Sequence, residues 1–216
     1  MEKNLMRLAL LKMASGDVEK ARNMAAFVEE TEPRETPPAG IGDGIYLVLD
    51  DGKYVPFRNR DNTEDEMASC TGIGVKMGDK SLVVSVCEIP DVELTTDNER
   101  SEAEYKTDRE DAVSDWNGAG NTAKLHLNPE IHSHLDKGEY VPSLGEMLFI
   151  LLFKKQINEA LRWVGADELR NDWYWTSTEF SPSNAWYLNL SNGSMNGNTK
   201  AVNRLRVRPV SAFIHQ

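Results

Sequence analysis

The chain has 216 residues and a net charge of −11, with 40% apolar residues. That balance supports a real core but works against nucleic acid as the main partner, because phosphate attraction needs a basic face. No apolar run is long enough to span a bilayer, which argues against membrane insertion, and two cysteines cannot make a disulfide scaffold.

Residues 1–30 read as a helical segment. Leu5, Leu8, Leu11 and Met13 give one apolar side, and Val18, Ala21, Ala25 and Val28 resume it after Ser15-Gly16-Asp17. The segment is a helical hairpin or one interrupted helix, and its stripe suits oligomerisation or docking. Arg7 and Lys12 break the apolar run, so it makes a poor secretion signal. The expectation is a protein made in a cytoplasm without a signal peptide. Residues 31–41, with Pro33, Pro37, Pro38 and Gly40, read as a linker.

A β-rich region follows. Asp50-Asp51-Gly52 between two apolar runs predicts a hairpin, and Gly78-Asp79 predicts a second. A regular second hairpin would set Cys70 opposite Cys87, most simply as free thiols in a reduced compartment. Asp91 to Thr107 reads as a polar loop, and Asp108 to Trp116 as a short helix stopped by Asn117-Gly118. His126, His132 and His134 cluster without a convergent carboxylate or cysteine, so a solvated loop is a better reading than a metal site.

Ser143-Leu144-Gly145-Glu146 is a capping box opening a helix that runs through Met147–Phe153 toward Gly165. Strands are expected at 174–178, 185–190 and 204–213, with a turn at Ser191-Asn192-Gly193-Ser194. The outer blocks of this closing segment are aromatic, β-branched and basic, which is core chemistry. The inner run is rich in Asn, Ser and Gly, which is recognition chemistry.

The order of these motifs carries a likeness. Trp116-Asn117-Gly118, Tyr140-Val141-Pro142-Ser143-Leu144-Gly145-Glu146, Tyr174-Trp175-Thr176-Ser177-Thr178-Glu179, Ala185-Trp186-Tyr187 and Val207-Arg208-Pro209-Val210 follow one another. This pattern resembles the C-type-lectin-fold domains of bacterial adhesin-like proteins and of the variable proteins of diversity-generating retroelements, found in gut Bacteroidales and their phages. The resemblance covers residues 42–213. It implies an α+β fold of small twisted antiparallel sheets with flanking helices, here preceded by the N-terminal helical segment.

The resemblance also implies a ligand-display surface and no enzymatic role or cofactor. The partner would be a host-surface protein or glycan, met by a phage virion or tail component, or by a bacterial adhesin-like protein. A structural assembly role is a further alternative, with residues 1–30 building a homo-oligomer or joining a virion. In the retroelement members, adenines of Asn codons are replaced. Such codons cannot become Trp, Glu, Met or Lys codons, so Trp175, Glu179, Trp186, Met195 and Lys200 fall in the frame. Phe180, Ser181, Ser183, Asn184, Tyr187, Asn189, Asn192, Ser194, Asn196, Asn198, Asn203 and Arg204 are compatible with variation and form the expected ligand-binding set. The frame is completed by Arg208, expected to pair with Glu179. The calcium loop of sugar-binding relatives is absent, as is any cysteine after Cys87 that a thiol-based oxidase of related fold would need.

Overall fold

The computed structural model describes residues 41–58, 61–97 and 104–213. The expected helical segment 1–30 and nearly all of the linker lie outside the described residues. Among them the chain forms an α+β arrangement of two sheets and six helices.

The first hairpin joins β1 (Gly44–Leu49) to β2 (Tyr54–Pro56). Its turn depends on Gly52, at φ 81°, a conformation that costs glycine nothing. A short helix α1 (Glu64–Ala68) follows, opened by a Thr63–Glu66 capping box. The second hairpin joins β3 (Cys70–Met77) to β4 (Lys80–Ser85), with Gly78 at φ 57°. Its ladder ends at Gly72↔Ser85, before reaching the two cysteines. Cys70 instead pairs with Leu49 of β1, and Cys87 is exposed beyond the end of β4. Both thiols are free, and burial pushes that of Cys70 up.

The expected loop from Asp91 to Thr107 is not all loop, because its first residues belong to the strand β5 (Ile89–Glu93). Three short helices then build one flank: α2 (Arg109–Val113), α3 (Gly118–Lys124) and α4 (Pro129–His134). Asp108 caps α2 through two backbone amides. Asn117-Gly118 does not simply stop it, since Asn117 stands at the N-cap position of α3.

After β6 (Glu139–Tyr140), the Ser143–Glu146 capping box opens α5 (Leu144–Leu152), as expected. All nine residues of α5 are buried. The expected single helix breaks at Phe153 (φ −103°, ψ 11°), and α6 (Lys154–Trp163) continues as an amphipathic helix. Lys154 does not mark a solvated end. It is buried, and its ammonium donates to the carbonyls of Arg170 and Leu190 and to Asn171 Oδ1. A buried cation needs such a full set of acceptors.

The closing segment forms β7 (Trp173–Ser181), β8 (Asn184–Asn189), β9 (Met195–Thr199), β10 (Arg204–Val207) and β11 (Val210–Ser211). One sheet has the order β2-β1-β3-β4-β11-β6, the other β5-β10-β7-β8-β9. All pairs are antiparallel except β10 with β7. The second sheet is packed on both faces. Tyr174, Trp186, Leu188 and Met195 join the core built on α5, α6 and the first sheet. Trp175, Ala185 and Val207 join a second core with Ile89, Val92, Leu125, Ile131 and Val141. Neighbouring residues of β7 therefore feed different cores, as the two-residue period of a strand requires.

Candidate ligand-contact face

The frame beneath the expected display is built from buried polar chemistry. Trp175 is fully buried and its indole N–H donates to the Val92 carbonyl at 3.0 Å. Trp186 donates likewise to Lys106 O at 2.6 Å and takes the ring of Phe180 edge-on at 5.3 Å. Glu179 and Arg208 are both buried, but they do not pair with each other. Glu179 pairs with Lys200, each with at most 1% of its side chain exposed. Arg208 donates to Glu88 at 3.2 Å and to the carbonyls of Ser85, Val86 and Asp167. The expected Glu179–Arg208 pair is thus two separate locks. The first holds the β9–β10 connection to β7, and the second joins the end of β10 to the segment after β4.

Glu88 is the residue that sequence reasoning missed. It opens the acidic run from Glu88 to Asp115, which reads from sequence as a solvated surface. Its carboxylate also accepts from Arg206 at 2.8 Å and from the Tyr174 hydroxyl at 2.6 Å. Burial, with the hydrogen bond to Glu88, pushes the Tyr174 hydroxyl up. Arg206 in turn holds Asp172, whose carboxyl is kept below its usual range.

The expected contact residues divide by environment. Phe180 packs inward against Trp186, and a Cβ at Gly197 would lie 3.0 Å from its ring. Ser181 Oγ accepts from Asn184 N, and Ser183 O accepts from Lys200 N, so these residues shape the β7–β8 turn. Asn189 is 9% exposed, and its Oδ1 accepts from Ser191 N. Asn192 makes the same kind of turn with Ser194 N. Arg204 reaches Asp91 and Glu93 across β5 at 3.5 and 3.7 Å.

The rest meet on one face. The register Trp175↔Tyr187↔Asn196 and Trp173↔Asn189 puts Trp173, Tyr187, Asn196 and Asn198 on the same side of β7, β8 and β9. Asn196 is exposed, and Trp173, Tyr187 and Asn198 are half-buried. The rings of Trp173 and Tyr187 lie 4.7 Å apart, tilted by 54°. Asn198 is steadied by Asn203, whose Nδ2 donates to its Oδ1 at 2.8 Å. Trp173 was not expected here. The signal was its two-residue spacing from Trp175, which sets both on one strand face.

Among the described residues, His126, His132 and His134 form no metal-binding cluster. His126 lies 3.8 Å from Asp97, and His134 Nδ1 is 2.7 Å from the Glu130 carbonyl. His132 lines a separate cleft of about 490 Å³ with Leu125, Leu127, Leu135, Asp136 and Glu139. Among the described residues no helix is long and apolar enough to cross a membrane.

No family model matches the chain, and no curated protein matches it in sequence. Among solved structures, the fold is similar to a fimbrial protein from Bacteroides ovatus, at a TM-score of 0.61 and 16% identity. The match covers 80% of this chain and 49% of that one, so the chain spans about half the length of that protein. At that identity the likeness is one of fold.

Proposed function

We propose that this chain is an adhesin-like binding protein that meets its ligand through the face of Trp173, Tyr187, Asn196 and Asn198. The observation that carries the reading is a half-exposed aromatic pair bordered by amide side chains, on a sheet held by buried ion pairs. Rigid aromatic rings supply contact area at low entropic cost, and short amides supply adaptable hydrogen bonds. The partner class is a host-surface protein or glycan.

The finer fold assignment, a C-type-lectin-like domain, belongs to this proposal. Its support is the convergence of the motifs on Asp115. The Asp115 carboxylate accepts from Asn117 N, Asn121 Nδ2 and Thr178 Oγ1, and its carbonyl accepts from Ser143 Oγ. Residues from the Trp116, Ser143 and Tyr174 motifs therefore meet at one point. The bacterial adhesin-like version is favoured over a phage virion component, because the similar solved structure is that of a fimbrial protein.

The test is binding of the fluorescently labelled full-length chain to intact bacterial and epithelial cells. Tyr187→Ala and the double variant Asn196→Ala/Asn198→Ala are expected to weaken binding about tenfold or more. Asp97→Asn, away from the face, should leave it unchanged. Binding that survives both face variants would sink the proposal.

A further inference from the structure

The two sheets have four outer strands, and three of them carry guards against pairing with another chain. The strand β2 is three residues long and ends at Pro56, whose carbonyl is taken by Asn62 Nδ2 at 3.2 Å. The strand β6 has two residues, and the Glu139 side chain turns back to Asp136 N. The strand β5 contains Pro90, a positive φ at Asp91, and the acids that hold Arg204. Short length, proline, charge and local distortion are the usual devices that keep a sheet edge from being extended.

The strand β9 has none of these except modest length. Its sequence Met195-Asn196-Gly197-Asn198-Thr199 carries no charge and no proline, and it pairs with β8 in unbroken register. Asn189 N donates to Ser194 O, and Lys200 N donates to Ser183 O. Alternation along the ladder then turns the backbone groups of Asn196 and Asn198 toward β8, and those of Met195, Gly197 and Thr199 outward. Among the described residues, two of the outward amides are answered only by local side chains. Gly197 N donates to Asn196 Oδ1 at 2.8 Å, and Thr199 N donates to Asn198 Oδ1 at 3.0 Å. The Thr199 carbonyl is taken, accepting from Asn203 N, whereas the Thr199 amide stays in the outward row.

We propose that the outer edge of β9 accepts an uncharged, extended segment of another protein as an added strand. The outward groups recur at every second residue, about 6.8 Å apart, a spacing that an extended backbone matches. The side chains of Asn196 and Asn198 act as removable stand-ins for that strand. A second copy of this chain is a poorer occupant, since each copy carries a net charge of −11. The edge lies beside the aromatic face but uses backbone groups, so the inference goes beyond the reading above.

The test uses the isotopically labelled full-length chain and an N-acetylated, C-amidated heptapeptide of alternating threonine and valine with glutamine at each end. Amide shifts are followed by NMR. The expected result is saturable shifts at Met195, Gly197 and Thr199, absent with the same peptide methylated on alternate amides. Thr199→Pro removes one outward donor and should weaken the peptide roughly fivefold to tenfold, the worth of one hydrogen bond. Thr199→Val, which keeps the donor, should bind like the parent. Asn196→Ala removes the competing acceptor and should tighten the peptide, the opposite sign to its effect on cell binding. Shifts confined to other strands, no saturable shift, or a Thr199→Pro variant that folds and binds as the parent does would overturn the proposal. Concentration-dependent shifts at β9 without peptide would assign the edge to a second copy and also overturn it.

Discussion

At the scale of the residue, the closing segment rests on buried charges whose partners come from far away in sequence. Arg208 is fully buried, and its removal leaves Glu88, itself only 6% exposed, with a weaker set of donors. Arg208→Ala is expected to cost about 3–5 kcal/mol, read as a shift in the urea midpoint. The Glu179–Lys200 pair should show the same asymmetry. Glu179→Gln or Lys200→Met alone should destabilise strongly. The double change Glu179→Leu/Lys200→Met should recover much of the loss, because no lone charge stays buried. Glu146 adds a pH dependence. Burial raises its pKa, outweighing the capping-box hydrogen bonds from Ser143 that lower it. The folded protein therefore holds this proton more tightly than the unfolded chain. The associated stability is fully present below the ordinary carboxylate range and is lost as pH rises through the raised value. Glu146→Gln keeps an acceptor for Ser143 N, so its stability relative to the parent should increase as pH climbs from 4 to 8 in urea titrations. A difference flat in pH would refute that account. Glu179 and Arg208 were marked as frame residues by the motifs of the resemblance, and Lys200 by the codon argument. Their pairing was not legible, because Glu88 is 120 residues from Arg208 and looks like part of a solvated acidic run.

At the scale of the element, local chemistry was read well and long-range chemistry poorly. The Gly52 and Gly78 turns and the Ser143 capping box are short-range devices, and each appears where its residues stand. The break at Phe153 was hidden because the apolar pattern runs through it, and the next residue, Lys154, is held by the distant carbonyls of Arg170 and Leu190. The strand β9 was hidden for another reason. Asn and Gly are poor strand formers, and only the ladder to β8 holds them extended. The start of α5 offers a sharp test of packing. A Cβ at Gly118 would fall 2.1 Å from Glu146 Oε2 and 2.8 Å from Ser143 N. Gly118→Ala should therefore lower the melting temperature markedly, although alanine is the better helix former. A neutral or stabilised variant would show that α3 can move away from the capping box.

At the scale of the whole molecule, the buried residues of both hydrophobic cores span 47–210 among the described residues. Deletion of residues 1–38 is expected to leave a domain that unfolds cooperatively with an unchanged near-ultraviolet spectrum. Loss of that cooperativity would mean that the first segment completes a core. The mixed α+β class was legible from the succession of hairpins, helices and closing strands. The division into two sheets was not, because consecutive strands β10 and β11 belong to different sheets, with only Arg208-Pro209 between them. That crossing has a consequence for biosynthesis. The strand β10 separates β5 from β7, and β11 separates β4 from β6. Neither sheet can zip up until the ribosome has released residues 204–211, so the nascent chain carries exposed half-sheets until that piece is out. A chaperone that shelters such edges would have to hold on until that short piece emerges, and then let go of both sheets at once.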